Sequence, residues 1–329
     1  MRNATILATG SYAPENIVPN SYFNELLGED VDSWLRQNVH IYERRWAADD
    51  ESTSDLVLNA ARQALERAGI SAQQLDLIIV ATDTPEYVSP STASKVQHLL
   101  GATRAGTFDL NTACAGFVTA LDTAAKYIQA DSQYRYVLVV GAYAMSKYLD
   151  KYDKKTANLF ADGAGAVVLQ AEEDTQRGLL ASSLRTRGEF HEWMGIYAGG
   201  TRQPVDAQVV ADKKHRLQFV KRFPPELNPE VWSEMIQELC QRIGVTVNEV
   251  DHFFFTQINI NSIWATLEIL GQPREKAHTI MHHYGYTGSA CIPMALDEAW
   301  QQGKVEKGKL VIFMGSGGGL SFACAAFRL

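Results

Sequence analysis

The sequence predicts an α/β protein in which buried strands alternate with amphipathic helices. Three apolar runs rich in β-branched residues, at 75–81, 136–141 and 164–169, are typical of strands covered on both faces. Segments with helical periodicity lie before and between these runs. The same order of elements then recurs in the second half of the chain. Together these observations predict two duplicated α/β units that pack against each other.

The elements of the first half follow in order along the chain. Residues 52–69 begin with Ser, Thr and Asp, place apolar residues at helical spacing and stop at a glycine, which predicts an amphipathic helix. The apolar run at 75–81 predicts a buried strand after it. Two more helices are predicted at 91–100 and 116–130, between the strands. This alternation is typical of α/β proteins.

The second half repeats the first at a constant spacing. Residues 69–80 match residues 244–255 at an offset of 175 positions. The Leu-Asp pair at 121–122 recurs at 296–297 with the same offset. A period of this length is far beyond the roughly 20–50 residues of solenoid repeats. It indicates duplication of a whole folding unit.

We predict an N-terminal half at 1–172 that carries a nucleophilic cysteine and a C-terminal half at 173–329, with the active site where their loops meet. Residues 188–229 are polar, rich in aromatic side chains and poorly periodic. Because structureless loops of this length are uncommon in compact domains, we expect short hidden elements there. The segment is predicted to line a pocket or a dimer face.

The composition is typical of a soluble globular protein. The chain has 329 residues, 46% hydrophobic and 21% charged, with a formal net charge of −8. An acidic protein lacks the positive field that nucleic acids and anionic membranes require, so neither partner is predicted. No apolar run reaches membrane-spanning length and residues 1–20 do not match a signal peptide. We therefore expect a cytoplasmic location and no membrane insertion.

The cysteines indicate chemistry at one position only. The four cysteines lie far apart, without Cys-x-x-Cys or Cys/His clusters, so neither a zinc site nor a disulfide framework is predicted. Cys114 follows a strand-like segment and precedes the predicted helix at 116–130. The positive end of the helix dipole and free backbone N–H groups would favour its thiolate, as for a nucleophile. The alternative is packing, because free cysteines are among the most buried residues.

A glycine cluster at 315–319 lies between two apolar segments. It lacks the Lys-Ser/Thr of a phosphate loop and the helix of a dinucleotide fingerprint, so no tightly bound nucleotide cofactor is expected. Glycines allow close backbone approach, and an N–H at Gly317 or Gly318 could donate to a thioester oxygen. The alternative is a tight turn between two strands.

Three further features are candidates for binding or catalysis. His282 and His283 are adjacent, and at most one is expected to serve a site, since neighbours in an extended chain point to opposite sides. The lysine-rich segment that begins at Lys147 could dock a phosphate or an acidic carrier, or be a solvated face. Trp34 could stack on a planar ligand or be a half-buried helix residue.

Six motifs carry a family resemblance. With the duplication, they resemble the β-ketoacyl-ACP synthase III group of the thiolase superfamily over nearly the entire chain. The motifs are Gly10-Ser-Tyr-Ala-Pro-Glu, Trp34 with Glu43-Arg44-Arg45, Asn111-Thr-Ala-Cys-Ala-Gly-Phe, Phe160-Ala-Asp-Gly-Ala-Gly-Ala, Tyr284-Gly-Tyr-Thr-Gly-Ser-Ala and Gly315-Ser-Gly-Gly-Gly.

The resemblance implies a fold, a substrate class and a catalytic role. The implied fold is a thiolase-like αβαβα layered fold, usually homodimeric. Cys114 would take an acyl group from an acyl-CoA or a phosphopantetheine-linked acyl carrier protein. The N–H groups of Cys114 and of a glycine at 317–319 would form the oxyanion hole.

The chain departs from the family at three positions. The family's catalytic histidine, in a His-Gln-Ala-Asn segment, corresponds to Thr256, and its catalytic asparagine corresponds to Tyr286. An arginine that helps to grip CoA corresponds to Asn38. The candidate donor-binding residues are Trp34, Asn38, Lys147 and Asn259.

These departures affect the second half-reaction most. In the family, histidine and asparagine donate hydrogen bonds that stabilise the enolate formed when a malonyl donor loses carbon dioxide. Thr256 and Tyr286 each keep one hydroxyl donor, but losing a well-placed oxyanion donor typically costs about 10²- to 10³-fold in rate. Neither residue is a base at neutral pH. We therefore expect acylation of Cys114 to persist and malonyl decarboxylation to be weak or absent.

A replacement base would then be needed. The candidates are Glu86, Asp83, His282 and His283. Glu86 lies in the segment at 84–90, which in the family approaches the partner subunit's acyl pocket. It could act across a dimer interface, or be an exposed loop carboxylate.

The sequence thus predicts an acyltransferase that carries an acyl group on Cys114 and passes it to a carbon, oxygen or nitrogen nucleophile in fatty-acid, polyketide or secondary metabolism. Two alternatives stay open. One is an ordinary decarboxylative 3-oxoacyl-ACP synthase III with an adapted site. The other is a catalytically degenerate subunit that supports an active ketosynthase partner. A homodimer is expected, with acyl-CoA or acyl carrier protein as the substrate partner.

Overall fold

The computed structural model describes residues 2–173 and 175–329. It contains strands β1 (Asn3–Tyr12), β2 (Ile17–Pro19), β3 (Glu43–Arg45), β4 (Leu77–Ala81), β5 (Gly106–Leu110), β6 (Tyr136–Ala144), β7 (Asp162–Glu172), β8 (Gly178–Thr186), β9 (Met194–Gly195), β10 (Gln218–Phe219), β11 (His252–Phe255), β12 (Leu310–Gly317) and β13 (Ser321–Arg328).

The helices lie mostly between these strands along the chain. They are α1 (Asn20–Leu27), α2 (Asp32–Asn38), α3 (Thr53–Ala68), α4 (Thr92–Leu100), α5 (Gly116–Ala130), α6 (Ala207–Ala211), α7 (Leu227–Arg242), α8 (Ile260–Ile269), α9 (Met281–Tyr284) and α10 (Cys291–Gln301). Short 3₁₀ turns cover Ala72–Gln74, Met145–Tyr148, Gly188–Phe190, Val247–Glu249, Arg274–Lys276 and Gly288–Ala290.

The first sheet has the strand order β1-β7-β6-β4-β5. β4 is parallel to both neighbours, with Ala81 opposite Leu110 of β5 and Gly141 of β6. β7 is antiparallel to β6 and to β1. Every residue of β4 and β6 is buried, as their near-continuous apolar sequences predict for strands covered on both faces. The three strands predicted from apolar runs are confirmed as β4, β6 and β7.

The second sheet has the order β11-β12-β13-β8. Its directions repeat those of β4-β6-β7-β1, since β11 and β12 are parallel while β13 is antiparallel to β12 and β8. The duplication predicted from the sequence is thereby confirmed. The first sheet draws its strands from residues 3–172 and the second from residues 178–328.

Helices separate and cover the two sheets. α5 packs on β4 and β6 of the first sheet and on β12 and β13 of the second, while α10 packs on β1, β7 and β11. α3 and α4 cover the outer face of the first sheet. α7 covers the outer face of the second sheet and packs against α8. The result is the predicted αβαβα layered fold.

The helix predicted at 52–69 shows how local sequence sets these elements. α3 begins after Ser52, which forms a capping box with Asp55, and Asp55 accepts a hydrogen bond from the Ser52 N–H at 2.8 Å. It ends at Gly69, whose φ of 66° is the left-handed conformation that favours glycine. Both predicted ends are correct to within one residue.

The segment at 188–229 contains short elements, as expected. β9 pairs with β10, and α6 lies between them in sequence. Phe190 and Trp193 pack edge to face at 4.5 Å, and Trp193 lies 5.4 Å from Phe223. This aromatic cluster fixes the segment where it forms one wall of the cavity described below.

Candidate active site

Cys114 lies in a tight turn between β5 and α5. Ala113, just before it, has a φ of 47°, and its N–H donates to Asn111 Oδ1 at 2.9 Å. A non-glycine residue in this conformation is strained, and such strain concentrates at functional sites. The turn leaves Cys114 only 2% exposed, in the lining of a cavity.

Burial changes the expected chemistry of the thiol. Desolvation and the nearby Asp83 carboxyl raise the pKa of Cys114 well above its ordinary value, while a hydrogen bond with the Tyr286 hydroxyl lowers it. The expectation that the helix terminus favours the thiolate therefore needs correction. Because Cys114 is buried, desolvation of the charged form outweighs the helix dipole and favours the neutral thiol at neutral pH.

The C-terminal end of β12, before the turn to β13, lies directly against Cys114. A Cβ atom on Gly317 would overlap the backbone nitrogen of Cys114, and one on Gly315 would lie 3.0 Å from the Cα of Ala115. Only glycine permits this approach. Within the described residues, the Cys114 N–H forms no hydrogen bond to another residue, which leaves it free to donate to a thioester oxygen. Gly317 and Gly318 both line the cavity.

Thr256 does not present its hydroxyl to the cavity. The Thr256 hydroxyl donates to the Ser316 carbonyl at 3.3 Å and accepts the Ser316 N–H at 2.9 Å. Thr256 is 1% exposed and joins the end of β11 to β12. The expectation that Thr256 keeps a hydroxyl donor for substrate is therefore corrected, because the single O–H already donates to the neighbouring strand.

Tyr286 is held by backbone hydrogen bonds to the first half of the chain. Its N–H donates to the Leu159 carbonyl at 2.9 Å, and its carbonyl accepts the Ala161 N–H at 2.9 Å. The preceding Gly285 has a φ of 68°, and a Cβ there would lie 2.6 Å from the Cβ of Arg44. The tight turn thus requires glycine and fixes the direction of the tyrosine ring.

The Tyr286 ring lies in an aromatic cluster next to the nucleophile. Its centroid is 5.3 Å from that of Phe160 and 6.3 Å from that of Tyr143. Burial and the neighbouring Cys114 raise the pKa of Tyr286 well above its ordinary value. Tyr286 therefore stays protonated beside Cys114 and keeps a hydroxyl donor there.

The cavity has a volume of about 770 Å³. Its walls are mostly apolar, and Trp34 and Asn259 line it, as proposed for donor-binding residues. Trp34 is 52% exposed, and the Asn259 side chain caps α8 by accepting the Asn261 N–H. The charged lining residues are Glu29, Asp30, Lys154, Lys155 and Arg222.

Two candidate donor-binding residues lie outside this lining. The Asn38 side chain donates to the Trp34 carbonyl at 2.9 Å, within its own helix. The Lys147 ammonium donates to the carbonyls of Ala48 and Asp49. Lys154 and Lys155, from the same lysine-rich segment, line the cavity instead.

The histidine candidates for a base are also elsewhere. His282 borders a separate pocket of about 300 Å³ with Tyr42 and Trp264, and its ring centroid lies 4.3 Å from that of His283. Burial and the adjacent His283 lower the pKa of His282. Neither histidine lines the cavity of Cys114.

Glu86 is engaged by its own neighbours. One carboxylate oxygen pairs with Lys95 at 2.5 Å and the other accepts the Ser54 N–H at 3.0 Å. Burial alone would raise the pKa of Glu86, but these hydrogen bonds outweigh it and hold the pKa below its ordinary value. The carboxylate does not line the cavity of its own chain.

Asp83, Tyr143 and Cys291 complete the surroundings of the thiol. Charges on Asp83 and Cys291 raise the pKa of Cys114. A charge on Cys114 in turn raises the pKa of Tyr143. The sequence singled out Asp83 but not the other two. Tyr143 could have been found from its place near the end of a strand parallel to β4, since the carboxyl ends of parallel strands share one edge of the sheet.

Metal ligation and membrane crossing find no support in the described chain. Across residues 2–173 and 175–329, no group of three or more His, Cys, Asp or Glu side chains is placed to hold a metal ion. In the same residues, none of the helices has both the length and the apolar character that crossing a membrane requires.

Comparisons with known proteins agree over the entire chain. Family models described as 3-oxoacyl-[acyl-carrier-protein] synthase III and as its C-terminal part match residues 108–188 and 240–329. The chain is 37% identical over 332 residues to a β-ketoacyl-[acyl-carrier-protein] synthase III of Natranaerobius thermophilus, with 100% of both proteins covered. It is 38% identical over 334 residues to an acetoacetyl-CoA synthase of Streptomyces sp. CL190, with 97% of each covered.

A solved structure supports the same assignment. The 3-oxoacyl-[acyl-carrier-protein] synthase III of Aquifex aeolicus VF5 has a TM-score of 0.90 and 33% identity, covering 99% of this chain and 100% of its own. Similar length, shared fold and sequence identity throughout thus point to one conclusion. The chain belongs to the 3-oxoacyl-ACP synthase III family and is an acyltransferase of that family.

Proposed function

We propose that this acyltransferase loads an acyl group from acyl-CoA or an acyl carrier protein onto Cys114. It then passes the group to a carbon, oxygen or nitrogen nucleophile without decarboxylating a malonyl donor. The observation that carries the proposal is the pairing of an intact nucleophile site with a Thr256 hydroxyl that Ser316 already uses. The site supports the first half-reaction and lacks one of the two side-chain donors that the second uses in the family.

The first half-reaction is supported by the surroundings of Cys114. The thiol, its free N–H and the Gly317 backbone meet at the wall of an apolar cavity large enough for an acyl chain and a pantetheine arm. Lys154, Lys155 and Arg222 line the same cavity and would attract the phosphates of a CoA or phosphopantetheine donor.

The second half-reaction is limited by hydrogen-bond donors. Enolate formation needs donors at the developing oxyanion. Tyr286 alone presents a side-chain hydroxyl at the positions of the family's histidine and asparagine, and it already contacts the Cys114 thiol. A nucleophile that is not generated by decarboxylation avoids this requirement.

We also propose a homodimer, formed through the loop that follows β4. On this loop Tyr87 is 49% exposed and Val88 is 90% exposed, which is unusual for adjacent large apolar residues. A second copy would cover them. Sedimentation should give the mass of two chains, whereas the mass of one chain contradicts the dimer.

Release of labelled carbon dioxide tests the proposed acceptor chemistry. The enzyme, preloaded with an acyl-CoA, is mixed with malonyl-ACP labelled in the free carboxyl group, beside a relative that has histidine and asparagine at these positions. We expect release at least about 10²-fold slower than from the relative, since one oxyanion donor contributes this much. Release at the relative's rate would show a decarboxylative synthase with an adapted site.

A further inference from the structure

The loop that carries Asp83 is fixed between the nucleophile and an adjacent strand. The Thr82 N–H donates to the Leu110 carbonyl at 3.1 Å, at the end of the strand that leads to Cys114. On the other side, the Ala144 N–H donates to the Thr84 hydroxyl at 2.9 Å, at the end of β6. Because β4, β5 and β6 are parallel neighbours, Asp83 lies on the same sheet edge as Cys114.

The second half of the chain closes this edge. The Ser289 hydroxyl contacts the carbonyls of Ala81 and Ala142 at 3.0 and 2.8 Å, and so fixes the segment that carries Tyr286 over the ends of β4 and β6. A Cβ on Gly141 would overlap the Ser289 carbonyl. These contacts, which involve no charged group, close the sheet edge that carries both Asp83 and Cys114.

The Asp83 carboxyl has an oxygen without a partner. Its Oδ1 is buried and, among the residues that the structure describes, forms no hydrogen bond. A buried, unsatisfied polar atom is destabilising and calls for an explanation, which is often a catalytic role. The ionisable groups nearest to Asp83 are Cys114, Tyr143 and Tyr148. Cys291 and Tyr286 act on the thiol in turn, and Asp162 acts on Tyr143. The segment that follows Asp83 carries Glu86, which pairs with Lys95.

Cys114 needs a proton acceptor. It is a neutral thiol whose attack on a thioester requires loss of a proton, and no histidine lines its cavity within the described chain. Of the acidic residues that line the cavity, Glu29 pairs with Lys154, and Asp30 accepts hydrogen bonds from the Ser33 N–H and hydroxyl. Burial raises the pKa of Asp83 to about 6, close to the value that suits a base at neutral pH.

We propose that Asp83 is the proton acceptor for acylation of Cys114. As the sulfur attacks the donor carbonyl, its S–H bond breaks and the proton passes to the Asp83 carboxylate. The new carbon–sulfur bond forms, the donor's carbon–sulfur bond breaks, and the leaving thiolate receives that proton. No direct hydrogen bond joins the two side chains in the described residues, and we assign the transfer to a single relaying water molecule. The inference rests on the proposed acylation of Cys114.

The test is the pH dependence of acylation. Single-turnover formation of the acyl-enzyme from acetyl-CoA, and from octanoyl-CoA as a second donor, is followed by intact mass between about pH 4.5 and 8.5. For the native enzyme we expect the rate to rise with pH and level off above the Asp83 pKa of about 6. Asp83→Asn should remove this inflection and lower the plateau at least about 10²-fold.

Two further variants identify which carboxylate acts. Asp50→Asn alters an exposed carboxylate and should leave the profile unchanged. An inflection that persists in Asp83→Asn but disappears in Glu86→Gln would overturn the proposal and assign the proton to Glu86. A native-like rate and profile in Asp83→Asn would also overturn it. If Asp83→Asn does not fold, Asp83→Thr is expected to show the same loss of inflection.

The outcomes separate the two proposals. Iodoacetamide labelling of Cys114 reports a folded protein with a reachable thiol, independently of any acyl donor. A native enzyme that iodoacetamide labels but no donor acylates would refute the proposed acylation, and the role of Asp83 with it. A native enzyme that is acylated, with Asp83→Asn equally fast, would refute the role of Asp83 alone.

Discussion

The hydroxyl of Tyr286 is the polar side-chain group that opposes the effect of burial on Cys114. Desolvation and Asp83 raise the pKa of the thiol, and the hydrogen bond with Tyr286 lowers it. A tyrosine whose own pKa is raised by burial keeps its proton, so this donor persists across the neutral range. Its replacement should therefore change the reactivity of Cys114 without changing the fold.

Tyr286→Phe keeps the ring in its aromatic cluster and removes the hydroxyl. A hydrogen bond to a charged group contributes about 1.5 kcal/mol, which corresponds to roughly one pKa unit, so the pKa of Cys114 should rise by that amount. Iodoacetamide should then alkylate Cys114 about 10-fold more slowly at fixed pH. Tyr143→Phe, which removes a neighbouring hydroxyl, should have a smaller effect. Equal rates in Tyr286→Phe and the native enzyme would contradict this role.

Thr256→Val removes a hydroxyl that serves the backbone. The buried N–H and carbonyl of Ser316 would lose their partner, at a cost of roughly 1–3 kcal/mol in the free energy of unfolding. Acylation of Cys114 should change little in comparison. Urea unfolding and single-turnover acylation measure the two effects. A large loss of acylation without a loss of stability would mean that the hydroxyl contacts substrate.

At this scale the sequence was informative about residue types rather than their contacts. Cys114 could be predicted because its position before a helix is local, and Tyr286 because a motif identifies it. The engagement of Thr256 by Ser316 depends on the pairing of β11 with β12, which join segments 60 positions apart. The raised thiol pKa likewise comes from burial by both halves.

At the scale of elements, the active site is the edge where strand ends from both halves meet. Cys114 follows β5, Asp83 follows β4, and the end of β12 with the turn after it contacts Cys114 and lines the cavity. The glycines at 315–319 matter here because they let one turn touch the other.

Gly317→Ala should disturb this contact more than Gly318→Ala. The added Cβ at Gly317 would overlap the backbone nitrogen of Cys114, whereas at Gly318 it would lie 3.2 Å from the Met194 carbonyl oxygen. We expect Gly317→Ala to slow acylation about 10²-fold or more by displacing an oxyanion donor, with a clearly smaller loss in Gly318→Ala. Similar rates in the two variants would argue against the oxyanion role of this turn.

Elements with a strong periodic pattern were predictable, and others were not. α3, α5 and β4 were predicted to within about two residues because their patterns and caps are local. Which sheet a strand joins is not local, as β8 shows by pairing with β13 from the end of the chain. The surroundings of a lysine are also not local. Lys147 donates to the Ala48 carbonyl, whereas Lys154 and Lys155 line the cavity.

At the scale of the whole molecule, Asp83 links the active site to stability. Burial raises its pKa from 3.8 to about 6, so between these values the folded state binds more protons than the unfolded state. The contribution of Asp83 to stability is therefore greatest below the unfolded pKa of this group and falls as pH rises to about 6. A shift of this size corresponds to at most roughly 3 kcal/mol.

Asp83→Asn should remove the loss of stability that ionisation of the Asp83 carboxyl causes. Near pH 7.5 the variant is expected to be more stable than the native protein by up to roughly 3 kcal/mol, and the difference should close near pH 4. Burial also raises the pKa of Asp162 to about 6. Because Asp162 is present in both proteins, its contribution cancels from the difference in stability. Urea unfolding at the two pH values measures the difference. A variant less stable than the native protein near pH 7.5 would show that the Asp83 carboxylate stabilises the fold.

The central claim is that Cys114 carries an acyl group, and intact-protein mass spectrometry tests it most directly. The native protein and Cys114→Ala are exposed to a panel of acyl-CoAs and acyl carrier proteins. We predict an adduct of acyl mass on the native chain with at least one donor, and none on the variant. Its chain length would identify the preferred donor. If no donor gives an adduct, or if the variant is labelled equally, Cys114 is not the acyl carrier and the chain supports the catalysis of a partner instead.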